Sequence, residues 1–242
     1  MRSRDTTNWL EEGVLERLWA MTRDLVDRCD YDVAVARANR ARRLERSQMA
    51  LQPKPHHSFD DWLKGERAAL DERCEYVDGE IFAMSGGTAE HHAIISNISA
   101  QLWTQTKGRP CYVYGQGMRL HVEAADAGKY PDLMALCGEQ RFHDGRRDLL
   151  LNPSLIVEVL SDSTEGYDRG GKFAIYRRIP YLREYLLVAQ DRVSAELYTP
   201  GDDGRWILTP YEDPDGQIQL PSIGCELAMA EVYDRVDLDS AG

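Results

Sequence analysis

The chain has 242 residues, of which 43% are hydrophobic and 29% are charged. This composition is typical of one globular domain of ordinary size with an appendage. No apolar run approaches the roughly 18 residues that a membrane-spanning helix needs, and the charged N-terminal stretch does not resemble a signal peptide. The net charge of −12 argues against general affinity for nucleic acid, because such binding depends on neutralising phosphates. Any nucleic-acid chemistry must therefore come from a local site.

The cysteines predict a reducing compartment. Their number is odd, they are scattered, and no C-x-x-C pair is present. Scattered single cysteines usually remain buried thiols, so we expect reduced side chains and a cytoplasmic protein. The five positions are Cys29, Cys74, Cys111, Cys137 and Cys225.

The first 55 residues are predicted to form a helical extension and a linker. Apolar residues recur at helical spacing within residues 7–50, and residues 34–49 carry five arginines. These arginines indicate either a solvated helix face or a basic arm for nucleic acid or a partner. Gln52-Pro53-Lys54-Pro55 ends the helical pattern. We therefore divide the chain into an extension, 1–55, and a main domain, 56–242.

The main domain is predicted to alternate strands and helices. Ser58 is a candidate cap for a helix that runs to about Leu70, and Asp78-Gly79 between apolar residues predicts a β-hairpin. This order indicates an α/β or α+β fold with a mixed central β-sheet flanked by helices. The later predicted elements are a helix at 88–107, strands at 111–121, 130–137 and 154–160, a helix at 166–179, strands at 184–189 and 193–199, turns at 203–204 and 215–216 within a C-terminal meander, and a closing helix near 226–234.

Two carboxylates fall on apolar strands. Asp132 follows Pro131 at the start of one strand, and Glu158 lies inside the run Leu-Ile-Val-Glu-Val-Leu. Burying a charge without a partner is costly, and divalent cations such as Mg²⁺ bind carboxylate oxygens. If the two strands are neighbours, the acids can meet at one edge of the sheet and share a metal ion. Lys172, on the following helix, could then reach a metal-bound phosphate or position the attacking water.

Four segments together resemble the Uma-type putative restriction endonuclease family of the PD-(D/E)XK nuclease superfamily. The resemblance covers about residues 56–233 and omits the first 55. The segments are Glu75-Tyr76-Val77-Asp78-Gly79-Glu80-Ile81, Tyr130-Pro131-Asp132, Val157-Glu158-Val159-Leu160-Ser161 and Tyr167-Asp168-Arg169-Gly170-Gly171-Lys172-Phe173.

This resemblance implies a restriction-endonuclease-like core that hydrolyses DNA. Asp132 and Glu158 would bind Mg²⁺, with Mn²⁺ as a substitute, and Lys172 would be the catalytic lysine. The chain departs from the superfamily pattern at Leu160, where a lysine is expected two residues after the acid. The family's usual explanation is that the lysine has moved to the next helix, which Lys172 fits.

Each candidate also has a purely structural explanation. Asp132 could form a turn or cap a helix, Glu158 could belong to a buried ion pair, and Lys172 could be a surface lysine. Glu80 and His91 are weaker candidates for the site. Glu80 could add a carboxylate or be a solvated strand residue. His91 could contact a phosphate, act as a base or make a hydrogen bond at the start of its helix.

Residues Gly166–Lys172 also fit the G-x-x-x-x-G-K pattern of a phosphate-binding loop. Phe173 occupies the position where a Ser or Thr should bind Mg²⁺, and Asp168 would place negative charge among the phosphates. We therefore expect no nucleotide cofactor.

Two functions follow as hypotheses. The first is a Mg²⁺-dependent endonuclease that acts on DNA. The second is a catalytically silent nuclease-fold module for binding or interaction. A homodimer would suit an enzyme that cuts two strands.

Overall fold

The computed structural model describes residues 55–69, 72–84, 86–161 and 164–238. The helices predicted within residues 7–50, their arginines and most of the linker lie outside these ranges. The division into extension and main domain therefore stays a prediction. Among the described helices, none is long and apolar enough to cross a membrane.

The domain begins with a capped helix and a hairpin, as predicted. Helix α1 spans Phe59–Ala68, and the Ser58 side chain accepts a hydrogen bond from the Asp61 N–H at 3.1 Å. Strands β1, Cys74–Val77, and β2, Glu80–Ala83, are antiparallel. Asp78 and Gly79 connect them with φ angles of 45° and 87°. Two consecutive positive φ angles are what a two-residue hairpin turn of type I′ requires.

The remaining elements follow in chain order. They are α2, Ala89–Thr106; β3, Cys111–Gly115; β4, Arg119–Val122; β5, Ala127–Lys129; β6, Leu133–Cys137; β7, Leu149–Leu150; β8, Leu155–Leu160; α3, Glu165–Tyr167; a π-helical turn, Asp168–Lys172; α4, Phe173–Tyr176; β9, Glu184–Ala189; β10, Ala195–Pro200; β11, Trp206–Tyr211; β12, Gln217–Leu220; β13, Cys225–Ala228; and α5, Met229–Val232.

A mixed six-stranded sheet forms the centre of the domain. Its strand order is β11-β10-β9-β8-β6-β3, in which β8 and β9 are parallel and the other neighbours are antiparallel. A second sheet has the order β2-β1-β5-β4-β7, and β12 pairs with β13. The predicted mixed α/β fold is confirmed.

Each face of the central sheet is covered by a separate apolar core. Helix α2, the β12–β13 hairpin and α5 cover one face, where Val157 and Val159 of β8 point. The second sheet and helix α4 cover the other face, where Ile156 and Leu160 point. Glu158 alternates with Val157 and Val159 along the strand, so its side chain belongs to the second face.

Two strands differ from their predicted bounds: one is divided in two, and the other begins later than predicted. The strand predicted at 111–121 is divided by Gln116–Met118 into β3, in the central sheet, and β4, in the second sheet. The strand predicted at 130–137 begins only at Leu133, because Tyr130, Pro131 and Asp132 leave the second sheet and enter the central one. Both interruptions transfer the chain between sheets, and both lie beside the predicted site.

The prediction that all cysteines are thiols is wrong. Cys111 and Cys137 lie opposite each other on β3 and β6 and form a disulfide. Cys74 and Cys225 are free, and Cys29 lies outside the described residues. The pairing depends on the register of two strands that are 26 residues apart in sequence. Cysteine spacing alone does not reveal such a register.

Candidate active site

Strand register brings the two predicted acids together. Leu133 of β6 lies opposite Val157 of β8, and Met134 lies opposite Ile156. Continuing this antiparallel register by one residue places Asp132 opposite Glu158. Directly opposite residues have Cβ atoms about 4.5–5.5 Å apart. The expectation that the two strands are neighbours is therefore confirmed.

Asp132 is held by hydrogen bonds on both carboxylate oxygens. Its Oδ2 accepts from the Val159 N–H at 2.8 Å, and its Oδ1 accepts from Gln116 Nε2 at 2.7 Å. The His91 Nε2 atom lies 3.3 Å from the same Oδ1. Burial alone would raise the pKa of Asp132, but the contact with His91 and the bonds from Val159 and Gln116 outweigh it and hold the pKa below its usual value. Asp132 is therefore a preorganised carboxylate.

Glu158 is buried more deeply and is less well compensated. Its residue is 2% exposed, Tyr176 donates a hydrogen bond to Oε1 at 2.8 Å, and Lys172 Nζ lies 3.1 Å from Oε2. Burial raises the pKa of Glu158 to about 8; Lys172 opposes this shift, whereas Asp132 and Asp168 add to it. The site therefore gathers three carboxyl groups, those of Asp132, Glu158 and Asp168, with the single ammonium of Lys172.

Lys172 points into this site. Its Nζ contacts Glu158 and also lies 2.9 Å from Asp168 Oδ1, four residues earlier in the chain. Burial alone would lower the pKa of Lys172, but the two carboxylates outweigh it and raise the pKa above its usual value. The side chain is therefore a fixed positive charge at neutral pH.

The π-helical turn gives Lys172 its position. Residues Glu165–Tyr176 form one helical segment, rather than the simple helix predicted at 166–179, and its central turn, Asp168–Lys172, is π-helical. π-turns within α-helices are frequent at functional sites. A Cβ atom at Gly171 would collide with the Tyr167 ring, so this turn needs glycine there. The segment is thus helical, not a loop that wraps a phosphate.

The two weaker candidates, His91 and Glu80, lie in different places in the structure. His91, in the first turn of α2, contacts Asp132, while its backbone N–H donates to the capping Thr88 hydroxyl at 3.2 Å. Glu80 lies on β2, the edge strand of the second sheet, rather than on the central sheet that carries Asp132 and Glu158. The structure therefore brings His91 into the site and places Glu80 on another sheet.

Three side chains of the site were not predicted from the sequence: Asp168, Tyr176 and Gln116. The first two occur at helical spacing around Lys172, so a Lys172-centred helical wheel could have found them. Gln116 follows a strand in a segment with no motif, and no sequence signal points to it.

A second lysine, which is fully buried, lies on β5, just before the Tyr130-Pro131-Asp132 segment. Lys129 is 0% exposed, and its Nζ lies 2.8 Å from Glu75 Oε2 and 2.8 Å from the Tyr167 hydroxyl. The Glu75 carboxylate also contributes to the raised pKa of Glu158. The two lysine sites are therefore electrostatic neighbours.

The donor set is compatible with a divalent cation. Asp132 and Glu158 supply hard carboxylate oxygens, and a cation beside Glu158 would oppose the effect of burial, which raises the pKa of that residue. Within the described residues, no cluster of three or more His, Cys, Asp or Glu side chains is arranged to hold a metal ion. Mg²⁺ is often bound by one or two carboxylates plus water, so two acids suffice.

Comparison with known proteins shows the family of this chain. The model of the Uma2 family, described as putative restriction endonuclease, matches residues 58–230. The chain belongs to the Uma2 family. The family match includes Asp132, Glu158 and Lys172 and leaves out the first 57 residues. The predicted resemblance is therefore confirmed.

The regions that match this Uma2 protein cover most of the length of each relative. An uncharacterised protein of Synechocystis is 34% identical over 181 residues, which are 75% of this chain and 93% of that protein. Another from the same organism is 35% identical over 160 residues, or 66% and 90% of the two chains. The crystal structure of a putative nuclease belonging to DUF820 from Anabaena variabilis matches with a TM-score of 0.59 and 17% identity, covering 74% of this chain and 98% of that one. At this identity, the match supports the fold alone.

Proposed function

We propose that this Uma2 protein is a Mg²⁺-dependent endonuclease that hydrolyses phosphodiester bonds of DNA. The observation that carries the proposal is the meeting of Asp132, Glu158 and Lys172 beside β6 and β8, two inner strands of the central sheet. The family match supports nuclease chemistry of this kind.

Asp132 and Glu158 would hold the metal ion, with Mn²⁺ as a substitute. When bound, the ion would polarise a phosphoryl oxygen and lower the pKa of a bound water. Val159 and Gln116 orient the Asp132 carboxylate, and Tyr176 orients that of Glu158. These contacts reduce the reorganisation that metal binding would otherwise require.

Lys172 would act through its charge. Because the two neighbouring carboxylates raise its pKa, it remains protonated and cannot serve as a base near neutral pH. A positive charge held in a partly buried site stabilises negative charge that develops on a phosphate in the transition state. Binding of a cation at Glu158 would free Lys172 from its contact with Oε2, while Asp168 would keep the ammonium in the site.

Nicking of supercoiled plasmid tests the proposal. Wild-type protein should nick the plasmid with Mg²⁺ or Mn²⁺ and lose this activity with EDTA, while Asp132→Asn should be inactive. Asp202→Asn, in an exposed turn, is the matched control and should retain activity. Equal nicking by wild type and Asp132→Asn would refute the assignment, because the activity would then not require this carboxylate.

The second candidate function is that of a nuclease-fold module that binds without cutting, and experiment can distinguish it from the nuclease. The observation that favours it is the closed state of the site, in which Lys172 already pairs with Glu158 and Asp168. Calorimetry with Mn²⁺ distinguishes the two. A folded protein that takes up no divalent ion would support the silent module, and uptake that requires Asp132 would support the nuclease.

A further inference from the structure

We propose that Gln116 is the positioning residue that fixes the metal-binding orientation of Asp132. This inference rests on the proposed function. It assigns to the site a side chain that lies outside the three-residue set and outside the motifs of the sequence. Four features of the structure carry it: strand register, hydrogen-bond geometry, burial of the acid and backbone anchoring.

Strand register places Gln116 in line with both acids. Gly115 of β3 lies opposite Leu133 of β6, so the next residue, Gln116, lies opposite Asp132. The same continuation between β6 and β8 places Asp132 opposite Glu158. Gln116 directly follows β3 and Asp132 directly precedes β6, so both lie at strand ends, and Glu158 lies on the neighbouring β8. The 2.7 Å hydrogen bond from Gln116 Nε2 to Asp132 Oδ1 joins these two strand ends.

Hydrogen bonding then fixes the plane of the carboxylate. Gln116 donates to Oδ1 at 2.7 Å, and the Val159 N–H donates to Oδ2 at 2.8 Å. The Val159 donor is backbone and is present whatever the side chains are. The Gln116 donor is a side chain, so it is the bond that a substitution can remove. With one oxygen fixed by β8 and the other by Gln116, the carboxylate keeps one orientation, and Oδ2 retains a lone pair for a cation.

A glutamine suits this position chemically. Its amide nitrogen carries two donors and no charge, so it binds Asp132 without competing with a metal ion. The same Nε2 atom lies 3.3 Å from His91 Nε2. Because the Asp132 side chain is only 11% exposed, water is a poor replacement for this donor. Without the Gln116 amide, the remaining side-chain contact of Asp132 Oδ1 would be the more distant one with His91 Nε2.

The backbone of Gln116 is anchored independently of its side chain. Arg73 donates from Nη1 to the Gln116 carbonyl oxygen at 3.0 Å. At the other end of the same strand pair, the Cys111–Cys137 disulfide lies in the same register. A substitution of the side chain should therefore leave the chain path intact, so that its effect reports the lost donor.

The test compares Gln116→Met with Gln219→Met. Methionine has nearly the shape of glutamine but no donor. Gln219 is an apt control because it also donates from Nε2 to a carboxylate, Glu226, at 3.0 Å, on the exposed β12–β13 hairpin. Three measurements are made on the full chain: Mn²⁺ affinity by calorimetry, kcat and KM for plasmid nicking, and the Asp132 rotamer in metal-free crystals.

We expect Gln116→Met to bind Mn²⁺ about 10–100-fold more weakly, the usual cost of losing a residue that orients a metal ligand. Its kcat should fall at subsaturating metal while KM for DNA stays constant, and its Asp132 carboxylate should turn away from the wild-type orientation. Gln219→Met should match wild type in all three measurements. Unchanged affinity together with an unchanged Asp132 rotamer would overturn the proposal.

The failure of the proposed function would look different. Wild-type protein would then bind no Mn²⁺ and nick no plasmid, and the metal-free crystals would decide the role of Gln116 alone. A rotated Asp132 in Gln116→Met would still support positioning by Gln116, and an unchanged one would refute it.

Discussion

Two lysines of this domain, the buried Lys129 and the partly buried Lys172, contact carboxyl groups in different ways. Lys129 contacts one carboxyl group, that of Glu75, and one hydroxyl, that of Tyr167. Lys172 contacts two carboxyl groups, those of Glu158 and Asp168. Lys129 and Glu75 therefore form a balanced pair of one ammonium and one carboxyl group, whereas Lys172 faces two carboxyl groups even before Asp132 is counted.

The difference separates a structural ion pair from a candidate site. A balanced buried pair satisfies its own charges and offers little to a ligand. A group with surplus carboxyl groups can bind a cation; at Glu158, burial first and then Asp132 and Asp168 raise the pKa to about 8. A lysine beside a buried glutamate is common to both places, so it is the number of carboxyl groups around each lysine that points to function.

The largest expected effect is on stability, at the balanced pair. Lys129→Met should lower the free energy of unfolding by about 3–5 kcal/mol, because it leaves Glu75 buried without its cation. Adding Glu75→Met should recover much of this loss, since two apolar side chains replace two charges. Urea denaturation of the three variants measures both steps. A single variant as stable as wild type would show that Lys129 is not the partner that keeps Glu75 folded.

The matching substitution at the site should act mainly on activity. Lys172→Met should reduce kcat for nicking by about 10²–10³-fold, the usual cost of losing one charge-stabilising group. Its stability loss should be smaller than that of Lys129→Met, because Glu158 can take up a proton near neutral pH. Nicking kinetics and urea denaturation on the same preparations measure the change in kcat and the change in the free energy of unfolding. If the two lysine variants lost stability equally, the charge balance would not distinguish the sites.

The next effect is a pH dependence that belongs to Glu158. Its pKa in the folded protein, about 8, lies above its ordinary value of 4.5. The folded state therefore holds the proton more tightly, and wild-type stability should fall as pH rises through this window and level off above pH 8. Glu158→Gln does not titrate, so its stability relative to wild type should rise by a few kcal/mol over the same range. A constant difference between the two proteins across this window would contradict the raised pKa.

The smallest effect should follow from making the two lysine sites alike. Asp168→Asn leaves Lys172 with one carboxylate, as at Lys129, and should lower the pKa of Glu158 because Asp168 contributes to its rise. We expect Mn²⁺ affinity to weaken a few-fold with little change in stability. Glu165→Gln, which removes a carboxylate that pairs with Arg169 on the same helical segment, is the control and should leave the affinity unchanged. A tighter Mn²⁺ complex in Asp168→Asn would reverse the argument.

The sequence could predict those parts of the structure that depend on local chemistry. The Asp78-Gly79 turn, the cap at Ser58 and the apolar strand around Glu158 each follow from neighbouring residues, and their presence was confirmed. The meeting of Asp132 and Glu158 was also foreseen, because it required only that two strands be adjacent.

Features that depend on register could not be predicted in this way. Gln116 and the Cys111–Cys137 disulfide both follow from how β3 lies against β6, which no local pattern of β3 reveals. The switch between sheets at Gln116–Met118 was also missed, because apolar residues on both sides of Gly115-Gln116-Gly117 suggested one continuous strand. The roles of Asp132, Glu158 and Lys172, the metal and a homodimer stay predictions.

The π-helical turn makes this part of the chain sensitive to length. A π-helical turn closes its hydrogen bonds over five residues, one more than an α-helix, so deleting Arg169 or Gly170 would let Asp168–Lys172 become α-helical. Asp168 and Lys172 would then be three residues apart instead of four, even though every side chain of the site remained in the sequence. Point substitutions around Gly170 test the chemistry of the site, whereas a single-residue deletion there would test the spacing of its residues along the helical segment. In evolutionary terms, this segment should tolerate changes of residue far better than changes of length.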